Sequence, residues 1–554
     1  MSALPTRVDL IRVGPVGVSA PLEWVHGDHC AVRGTPRAVS SAVAAAVHRD
    51  PSPEAVLLLD ADFDPPADDL VAELLDGPAD VWHGGVALGL GDQPRLWDRV
   101  DPLSMFSAEV DPTIEVTSWR LSLRALLVRT DVLRQLGGPD PCFDTLTGAG
   151  LDLGLRWIRA GALVRHHPAL VPPAAEPDPP PTVADQLRVV ARHRGRRWAG
   201  WALARAVGHE VPWSGASTSL RTLRRADLLS LEHYDTVPSR RSGGDPTRTV
   251  SVVVPTVDRY SYLEPLLHQL ADQTLAPHEV IVVDQTPLDR RRSDLAEVEP
   301  TLPVHVIEIP EPGQCSARNA ALDVATGELV LFIDDDDEIP DDLIASHLDR
   351  LVDGIDASSG GVDDATAGPP PAGFRHRRAA DVFPTNNTML RRSALRGSGL
   401  FDLAYDRGAR ADHDLGMRLH LSGAVLVYDP TVEVFHHHAP MGGLRTHGAR
   451  KVTRAGSRRS IVQRSLPSVT ELYLGRRYFR PEQRSNARWI SLVSQLSGEG
   501  PRARRVVRAV VQAAMLPVNV RELRRRDRAA AEAVAHRPPI PTLPEPNLPE
   551  GSDR

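Results

Sequence analysis

The sequence predicts an α/β protein that contains two domains of mostly parallel sheet in tandem. Three observations carry this prediction. Strand-like and helix-like segments alternate in the second half of the chain, as they do around parallel sheets. An apolar run in that half, residues 329–333, leads directly into four consecutive aspartates. A similar pattern, with Asp60 and Asp62 at its end, occurs near the N-terminus.

The alternation starts with a β-branched run at residues 250–254, which Pro255 and Thr256 follow. A short apolar run bounded by polar residues predicts a buried strand. A helix is predicted next, because leucines recur at helical spacing. These leucines are Leu263, Leu266, Leu267 and Leu270.

A second buried strand is predicted to end at Asp284, and the strand at residues 329–333 ends at Asp334. Between them, a glycine-containing loop leads into a predicted helix that starts near Ser316 and carries Arg318 in its first turn. The carboxyl ends of parallel strands meet at one edge of a sheet, where open α/β folds bind ligands. We therefore expect Asp284 and Asp334 to line one crevice.

The four carboxylates of residues 334–337 carry the main chemical signal. They cannot all stay ionised side by side without a counter-charge. Carboxylate oxygens are the ligands that Mg²⁺ and Mn²⁺ prefer in proteins. The pattern therefore indicates a divalent cation site. The alternative is a solvated acidic turn, because aspartate is common after strands.

Five segments together resemble the family-2 type of nucleotide-sugar glycosyltransferases, which have the GT-A fold. They are VSVVVPT, VIVVDQT, GQCSARNAAL, LFIDDDD and GLFDLAYDRGARADHDLGMRLHLSG, and they span residue 250 to about residue 440. No segment is specific alone, but five in this order make a strong match. The resemblance implies an inverting enzyme, dependent on Mn²⁺ or Mg²⁺. It would move a sugar from a nucleoside diphosphate sugar to the hydroxyl of a glycan or lipid-linked acceptor. The expected pathway class is the synthesis of a cell-envelope polysaccharide or glycolipid.

The resemblance also implies which residues bind the donor and the metal ion. Six residues are expected to bind the donor nucleotide: Pro255, Thr256, Asp284, Arg318, Asp334 and Asp335. Asp334 and Asp336 are expected to bind the metal ion. His436, the first residue of a His-His-His run, is expected to be a third ligand. A solvated surface position would explain this histidine equally well.

Asp412 matches the catalytic base of the family, although Ala411 stands where the family has a glutamate. A base that takes the proton of the acceptor hydroxyl contributes roughly 10²–10⁴-fold to the rate. One carboxylate opposite the leaving group gives a single displacement with inversion. Asp414 also fits an acid that stabilises the first turn of a helix. Four residues are expected to face the acceptor or the sugar: Asn386, Asn387, His413 and Asp414. Ordinary loop polarity explains the two asparagines nearly as well.

Two other functions stay open. The chain could be a non-catalytic protein that binds glycans or nucleotides, but the presence of Asp284, Arg318 and Asp412 favours an enzyme. It could also be a sugar-1-phosphate nucleotidyltransferase, whose sheet is similar. That class usually has a glycine-rich loop with a basic residue after its first strand, and no such loop follows residues 250–254.

Composition and charge narrow the classes further. The formal net charge of the 554 residues is −8, so bulk charge gives no indication of nucleic-acid binding. Three cysteines without C-x-x-C spacing favour a reducing compartment over a disulfide framework. The N-terminus has no apolar signal core, and the chain has no run of about 20 apolar residues. We therefore expect a cytoplasmic protein, with peripheral contact at the inner face of the membrane as the alternative.

The first domain is predicted to be a reduced copy of the second. From the first strand to the acidic turn it has 60 − 8 = 52 positions, against 334 − 250 = 84 in the second domain. About one strand–helix unit is therefore missing. Alignment of the two copies places Gly150 at the position of Asp412 and Ala174 at that of His436. We expect this domain to bind glycan, to pack, or to complete an acceptor groove, and not to transfer sugar.

The sequence divides into five expected regions. They are a degenerate GT-A-like domain at 1–172, a proline-rich and helical linker at 173–247, the catalytic domain at 248–455, a helical region at 456–536 and a disordered tail at 537–554. The helical region has one apolar stripe, near arginines at 502–526: Val506, Val507, Val510, Val511 and Ala514. Such a stripe is typical of a helix that lies on an anionic membrane or of one that packs on its own protein.

Overall fold

The computed structural model describes residues 6–15, 24, 26–92, 96–212, 228–230, 232–235, 240, 242–364, 370–439, 442–443 and 460–543. These residues form two α/β units and a helical C-terminal region, and each unit is built on one sheet. The predicted class, two α/β domains in tandem with a helical C-terminal extension, is confirmed.

The first unit has seven described strands. They are β1 (Val8–Gly14), β2 (His29–Arg33), β3 (Ala55–Asp60), β4 (Val81–His83), β5 (Val116–Thr117), β6 (Ala125–Arg129) and β7 (Val164–His166). Its helices are α1 (Pro36–Val47), α2 (Asp68–Asp76), α3 (Thr130–Leu136), α4 (Leu146–Ala160), α5 (Val183–Arg194) and α6 (Arg196–Ala206).

The second unit has nine described strands. They are β8 (Val250–Thr256), β9 (Glu279–Asp284), β10 (Val304–Glu308), β11 (Leu329–Phe332), β12 (Asp337–Glu338), β13 (Ala357–Asp363), β14 (Arg378–Ala379), β15 (Thr388–Arg391) and β16 (Leu426–His436). Its helices are α7 (Tyr260–Ala271), α8 (Gln314–Val324), α9 (Leu343–Arg350), α10 (Leu395–Ser398) and α11 (Ala411–Leu421). The C-terminal region contains α12 (Val469–Tyr478), α13 (Pro481–Ser494), α14 (Arg502–Ala514) and α15 (Leu516–Ala535).

The two sheets share one topology. The first has the strand order β2-β1-β3-β6-β4-β7-β5, and the second has β10-β9-β8-β11-β15-β13-β16-β12, with β14 also on β16. When β1 is matched to β8, the neighbouring pairs agree in direction: parallel, parallel, antiparallel, antiparallel, parallel and antiparallel. Within the described residues, the first sheet lacks a counterpart of the edge strand β10 and of the helix α7. These missing elements explain why the first strand and the acidic turn are closer together in the sequence of the first unit.

The centre of the second sheet explains why the predicted site lies at one edge. Strands β8, β9 and β11 are parallel neighbours, and nearly all their residues are buried. Buried parallel strands of this kind are continuous Val-, Ile- and Leu-rich runs, because helices cover both faces. Phe332 pairs with Val253, and Thr256 pairs with Asp284. The residues that follow each strand therefore lie side by side.

The two helices that the sequence analysis assigned to a linker pack on the first unit. Apolar residues of α5 and α6, such as Leu187 and Ala202, belong to the hydrophobic cluster that contains the strands of that unit. The carboxylate of Asp185 in α5 also accepts hydrogen bonds from the backbone of Asp144 and Thr145. The proline-rich run therefore connects elements within the first unit.

The start of the predicted tail is also ordered. The backbone N–H of Leu400 donates to the carbonyl oxygen of Pro541 at 2.8 Å, and Leu543 is buried in the core of the second unit. Composition alone could not indicate this docking. Residues 544–554 lie outside the described residues.

The first unit contacts the elements that follow the second sheet. The Arg480 guanidinium lies 2.5 Å from Asp98, and the Gln483 amide donates to the carbonyl oxygen of Ser107 at 2.8 Å. Next to them, four apolar residues from both units form a small cluster: Met105, Ala108, Met417 and Phe479. Because Met417 belongs to α11, the first unit supports the helix that carries the predicted base.

Candidate active site

The predicted donor residues converge at the carboxyl edge of the second sheet. Thr256 at the end of β8 donates its hydroxyl hydrogen bond to Asp335 Oδ2 at 2.8 Å. Asp284 at the end of β9 is 1% exposed. Its Oδ2 accepts a hydrogen bond from the Tyr260 hydroxyl at 2.7 Å, and its Oδ1 accepts one from the backbone N–H of Thr286 at 2.9 Å. The β8–α7 junction and the end of β9 thus form one wall of the site.

Arginines balance the charge of the acidic cluster. Arg259 Nη1 lies 3.0 Å from one carboxylate oxygen of Asp335 and 3.0 Å from one of Asp336. Arg318 Nη2 donates to Asp334 Oδ1 at 2.7 Å. Burial raises the pKa of Asp335 to about 6, although the Arg259 charge opposes this effect. The counter-charge that the sequence analysis assigned to a metal ion is supplied here by two guanidinium groups.

Arg259 was not predicted as a site residue. It directly precedes α7 and lies three residues after the end of β8. The sequence did contain a signal for this role, because a basic residue occurs close to the end of a strand that lies beside the acidic turn. Since the β8–α7 segment does contain a basic residue, the argument against a nucleotidyltransferase rests on the lack of a glycine-rich loop.

His436 lies beside the acidic cluster. Its Nδ1 is 2.7 Å from Asp337 Oδ1 and 3.7 Å from Asp336 Oδ1. Burial alone would lower the pKa of His436, but its hydrogen bond to the Asp337 carboxylate raises the pKa to about 9. The antiparallel pairing of β12 with β16, which matches Asp337 with His436, places the ring there.

The donor set suits a hard divalent cation, but the side chains do not form a metal centre in this arrangement. Among the described residues, no group of three or more His, Cys, Asp or Glu side chains is placed to hold a metal ion. Asp336 Oδ1 is nevertheless a buried carboxylate oxygen without a hydrogen bond, facing Arg259. Carboxylate oxygens and an imidazole are ligands that Mn²⁺ accepts. The residues that would hold such an ion are Asp334, Asp336 and His436.

Asp412 lies in the first turn of α11 and is partly exposed, with 34% of its side chain accessible. The Arg410 guanidinium lies 2.7 Å from His413 Nε2, and His413 Nδ1 lies 3.1 Å from Asp412 Oδ1. Burial would raise the pKa of Asp412, but its interactions with His413 outweigh this effect and hold the pKa below its usual value. A carboxylate that is ionised at neutral pH can accept a proton.

The loop before α11 docks on the N-terminus of α8. Asp406 Oδ1 accepts hydrogen bonds from the backbone N–H groups of Cys315 and Ser316 at 2.8 and 2.9 Å. A carboxylate here satisfies N–H groups that have no partner within the helix. The helix begins at Gln314, two residues earlier than predicted. The contact holds the start of α11 close to the helix that carries Arg318.

Two of the four residues expected to face the acceptor are buried instead. The carboxylate of Asp414 is 0% exposed and binds three side chains: Arg418, Arg477 and Tyr478. The amide of Asn387 is also 0% exposed and bonds to Gly361, Val432 and His347. Their polar atoms fix α11 and the β13–β16 region, so the structure does not bring either residue to the surface of the site. Asn386 is half-buried, and its Nδ2 lies 3.4 Å from Asp337 Oδ1.

The first unit has a cleft at the equivalent edge, with a cavity of about 550 Å³ that includes Asp60, Asp62 and Arg124 in its lining. Asp60 Oδ2 accepts a hydrogen bond from Arg124 Nε at 2.6 Å. The equivalent of the base position is closed, because a Cβ at Gly150 would lie 2.5 Å from the carbonyl oxygen of Leu121. A carboxylate at position 150 would need the backbone to move.

Comparison with known protein families adds to this geometry for one part of the second unit. Residues 251–408 match the family described as glycosyl transferase family 2. The chain therefore contains a family 2 glycosyltransferase domain, which agrees with the resemblance of the sequence.

The chain is similar over part of its length to several bacterial transferases. It is 33% identical to the putative teichuronic acid biosynthesis glycosyltransferase TuaG of Bacillus subtilis over 105 residues, 19% of this chain and 42% of that protein. It is 38% identical to the poly(ribitol-phosphate) beta-N-acetylglucosaminyltransferase TarS of Staphylococcus aureus over 93 residues, 16% of each chain. The chain thus covers less than half the length of these relatives.

Among solved structures, the chain is similar to the mannosyltransferase PcManGT from Pyrobaculum calidifontis, in complex with GDP-Man and Mn²⁺. That match has a TM-score of 0.34 and 19% identity, and covers 64% of this chain and 98% of the other. The S. aureus TarS structure matches with a TM-score of 0.31 and 19% identity over 52% of this chain and 54% of that chain.

The contrast between the two acids of α11 gives a stability prediction. Asp414→Asn should lower the free energy of unfolding by about 3 kcal/mol, because it removes the carboxylate partner of the buried Arg418 guanidinium and one of the two carboxylate partners of Arg477. Asp412→Asn should change it by less than about 1 kcal/mol, because Asp412 is partly exposed. Urea unfolding followed by tryptophan fluorescence measures both. Equal midpoints for the two variants would contradict these assignments.

Proposed function

We propose that the protein transfers a sugar from a nucleoside diphosphate sugar to a hydroxyl acceptor, with inversion and with a divalent cation. The observation that carries the proposal is the convergence of Thr256, Asp284, Arg318 and residues 334–336 at one sheet edge within a family 2 domain. A non-catalytic binding protein would need no ionised carboxylate on the acceptor side, and Asp412 supplies one.

The donor is proposed to lie across the ends of β8, β9 and β11. Pro255, Thr256 and Asp284 are proposed to hold the nucleoside, with the Tyr260 ring beside it. Arg318 and Arg259 are proposed to lie next to the diphosphate. When the diphosphate binds, each guanidinium would contact it as well as its present carboxylate partner. A divalent cation held by Asp334, Asp336 and His436 would stabilise the charge that develops on the leaving diphosphate.

Asp412 is proposed to be the base. Its carboxylate would accept the proton of the acceptor hydroxyl while that oxygen attacks the anomeric carbon, and the bond from that carbon to the diphosphate breaks. Arg410 and His413 hold the carboxylate in place through the hydrogen bond between them. His413 and Asn386 are proposed to face the acceptor or the sugar.

The acceptor class is proposed from the relatives. TuaG and TarS are named for teichuronic acid biosynthesis and for glycosylation of poly(ribitol phosphate). We therefore propose a glycan or lipid-linked glycan of the cell envelope as the acceptor, and a site of action at the inner face of the membrane. The first unit is proposed to support the catalytic unit and the acceptor groove without transferring sugar itself.

The first of three predictions from this proposal concerns the metal ion. The wild-type protein should bind a nucleoside diphosphate in calorimetry with Mn²⁺. EDTA or Asp336→Asn should abolish binding, because the first removes the cation and the second removes one of its ligands, and the diphosphate is then repelled by the remaining carboxylates. Asp62→Asn, the matched change in the first unit, should leave the affinity unchanged. Undiminished affinity in EDTA would overturn the metal assignment.

The second prediction concerns the base. Asp412→Asn should lower the turnover number by roughly 10²–10⁴-fold and leave the affinity for the nucleoside diphosphate unchanged, since the carboxylate acts on the acceptor proton. Initial rates of nucleoside diphosphate release with acceptor present, together with calorimetry, separate the two effects. Near-normal turnover would place the base elsewhere.

The third prediction concerns the first unit. The double variant Asp60→Asn and Asp62→Asn should keep turnover within a few-fold of the wild type, because the equivalent base position at Gly150 is closed and Arg124 occupies Asp60. The same rate assay measures this. A loss as large as that of Asp336→Asn would mean that both units are active.

A further inference from the structure

Helix α14 has its apolar face turned away from the protein. Val506, Val507 and Val510 are 56%, 49% and 64% exposed, while the residues that the helix buries are Arg508 and Gln512. An amphipathic helix of a globular protein normally turns its apolar stripe inward. At 3.6 residues per turn, Arg508 and Gln512 lie on roughly the opposite side of the helix from Val510.

The buried polar side is firmly bonded, so the orientation of the helix is specified. Arg508 Nε donates to the carbonyl oxygen of Ser497 at 2.8 Å, and the Gln512 amide donates to the carbonyl oxygen of Ile461 at 3.0 Å. A rotation that buried the valines would remove these bonds and leave an arginine without its acceptors. The outward apolar face is therefore a property of the packed structure.

The exposed face continues beyond α14 and is flanked by positive charge. Leu516 and Val518 at the start of α15 are 40% and 54% exposed. Three arginines in the first turn of α14 are exposed as well: Arg502, Arg504 and Arg505. At 3.6 residues per turn, Arg502 and Arg504 lie at the two borders of the apolar arc. Several adjacent apolar side chains on a protein surface indicate an interaction site.

We propose that α14 and the start of α15 dock on the surface of an anionic lipid membrane. Apolar side chains on one face with arginines along its borders match the boundary between acyl chains and anionic headgroups. An acidic protein partner would match the arginines but not the width of the apolar arc. With 13 residues, α14 is shorter than the roughly 20 residues that a spanning helix needs, so the contact lies in the interface plane. Among the described residues, no helix is long and apolar enough to cross a membrane.

The inference is independent of sugar transfer, and it is tested without donor or acceptor. The full-length protein is sedimented with vesicles of phosphatidylcholine that contain about 30% phosphatidylglycerol, and with pure phosphatidylcholine vesicles. Binding should require the anionic lipid and weaken at high salt. Val510→Glu should weaken it at least about tenfold, and Val510→Trp should strengthen it several-fold.

A matched control is Val324→Glu at the end of α8, where the valine is 49% exposed. This change should leave vesicle binding unaltered, and both glutamate variants should keep the circular dichroism spectrum of the wild type. Absence of wild-type binding to anionic vesicles would overturn the proposal. Equal binding to both vesicle types would also overturn it. A third contrary result would be a wild-type dimer that does not bind vesicles and that Val510→Glu dissociates.

Discussion

Charge balance around buried carboxylates organises the second unit. Asp335 and Asp336 follow the central strand β11 and are nearly inaccessible to solvent. An ionised carboxylate taken out of water costs several kcal/mol unless a cation and hydrogen bonds compensate. Arg259 compensates both, and Arg318 compensates Asp334. These pairs fix the starts of α7 and α8 against the sheet edge, and they place two cations where a diphosphate would bind.

The position of Asp412 depends on partners far away in the chain. Its helix is held by Asp414, whose carboxylate lies 2.6 Å from Arg477 of α12, and by Met417, which packs in one apolar cluster with Met105 of the first unit. The C-terminal helices and the first unit contribute no group to the proposed reaction. They nevertheless determine the position of the proposed base. Residues outside the family 2 domain therefore have a structural role in the site.

Much of this architecture could be predicted from sequence, because it follows from local pattern. The apolar runs fixed β8, β9 and β11, and their parallel order brought Asp284 and Asp334 to one edge. The local signal for Arg259 did not identify its carboxylate partner, which is 76 positions away. No local signal indicated the partners of Asp406, which are 90 and 91 positions away. For the same reason Asp414 and Asn387 were taken for acceptor residues, although tertiary packing buries them. The spacing of the valines predicted an apolar stripe on α14, but it did not predict that the stripe faces solvent.

The stereochemistry of the product tests the central claim most directly. Proton NMR can follow the anomeric configuration from an α-linked nucleoside diphosphate sugar to the glycoside formed by the wild-type protein. A single displacement assisted by one base, Asp412, predicts a β-linked product. An α-linked product would contradict this mechanism, because retention needs a second displacement or a front-face departure.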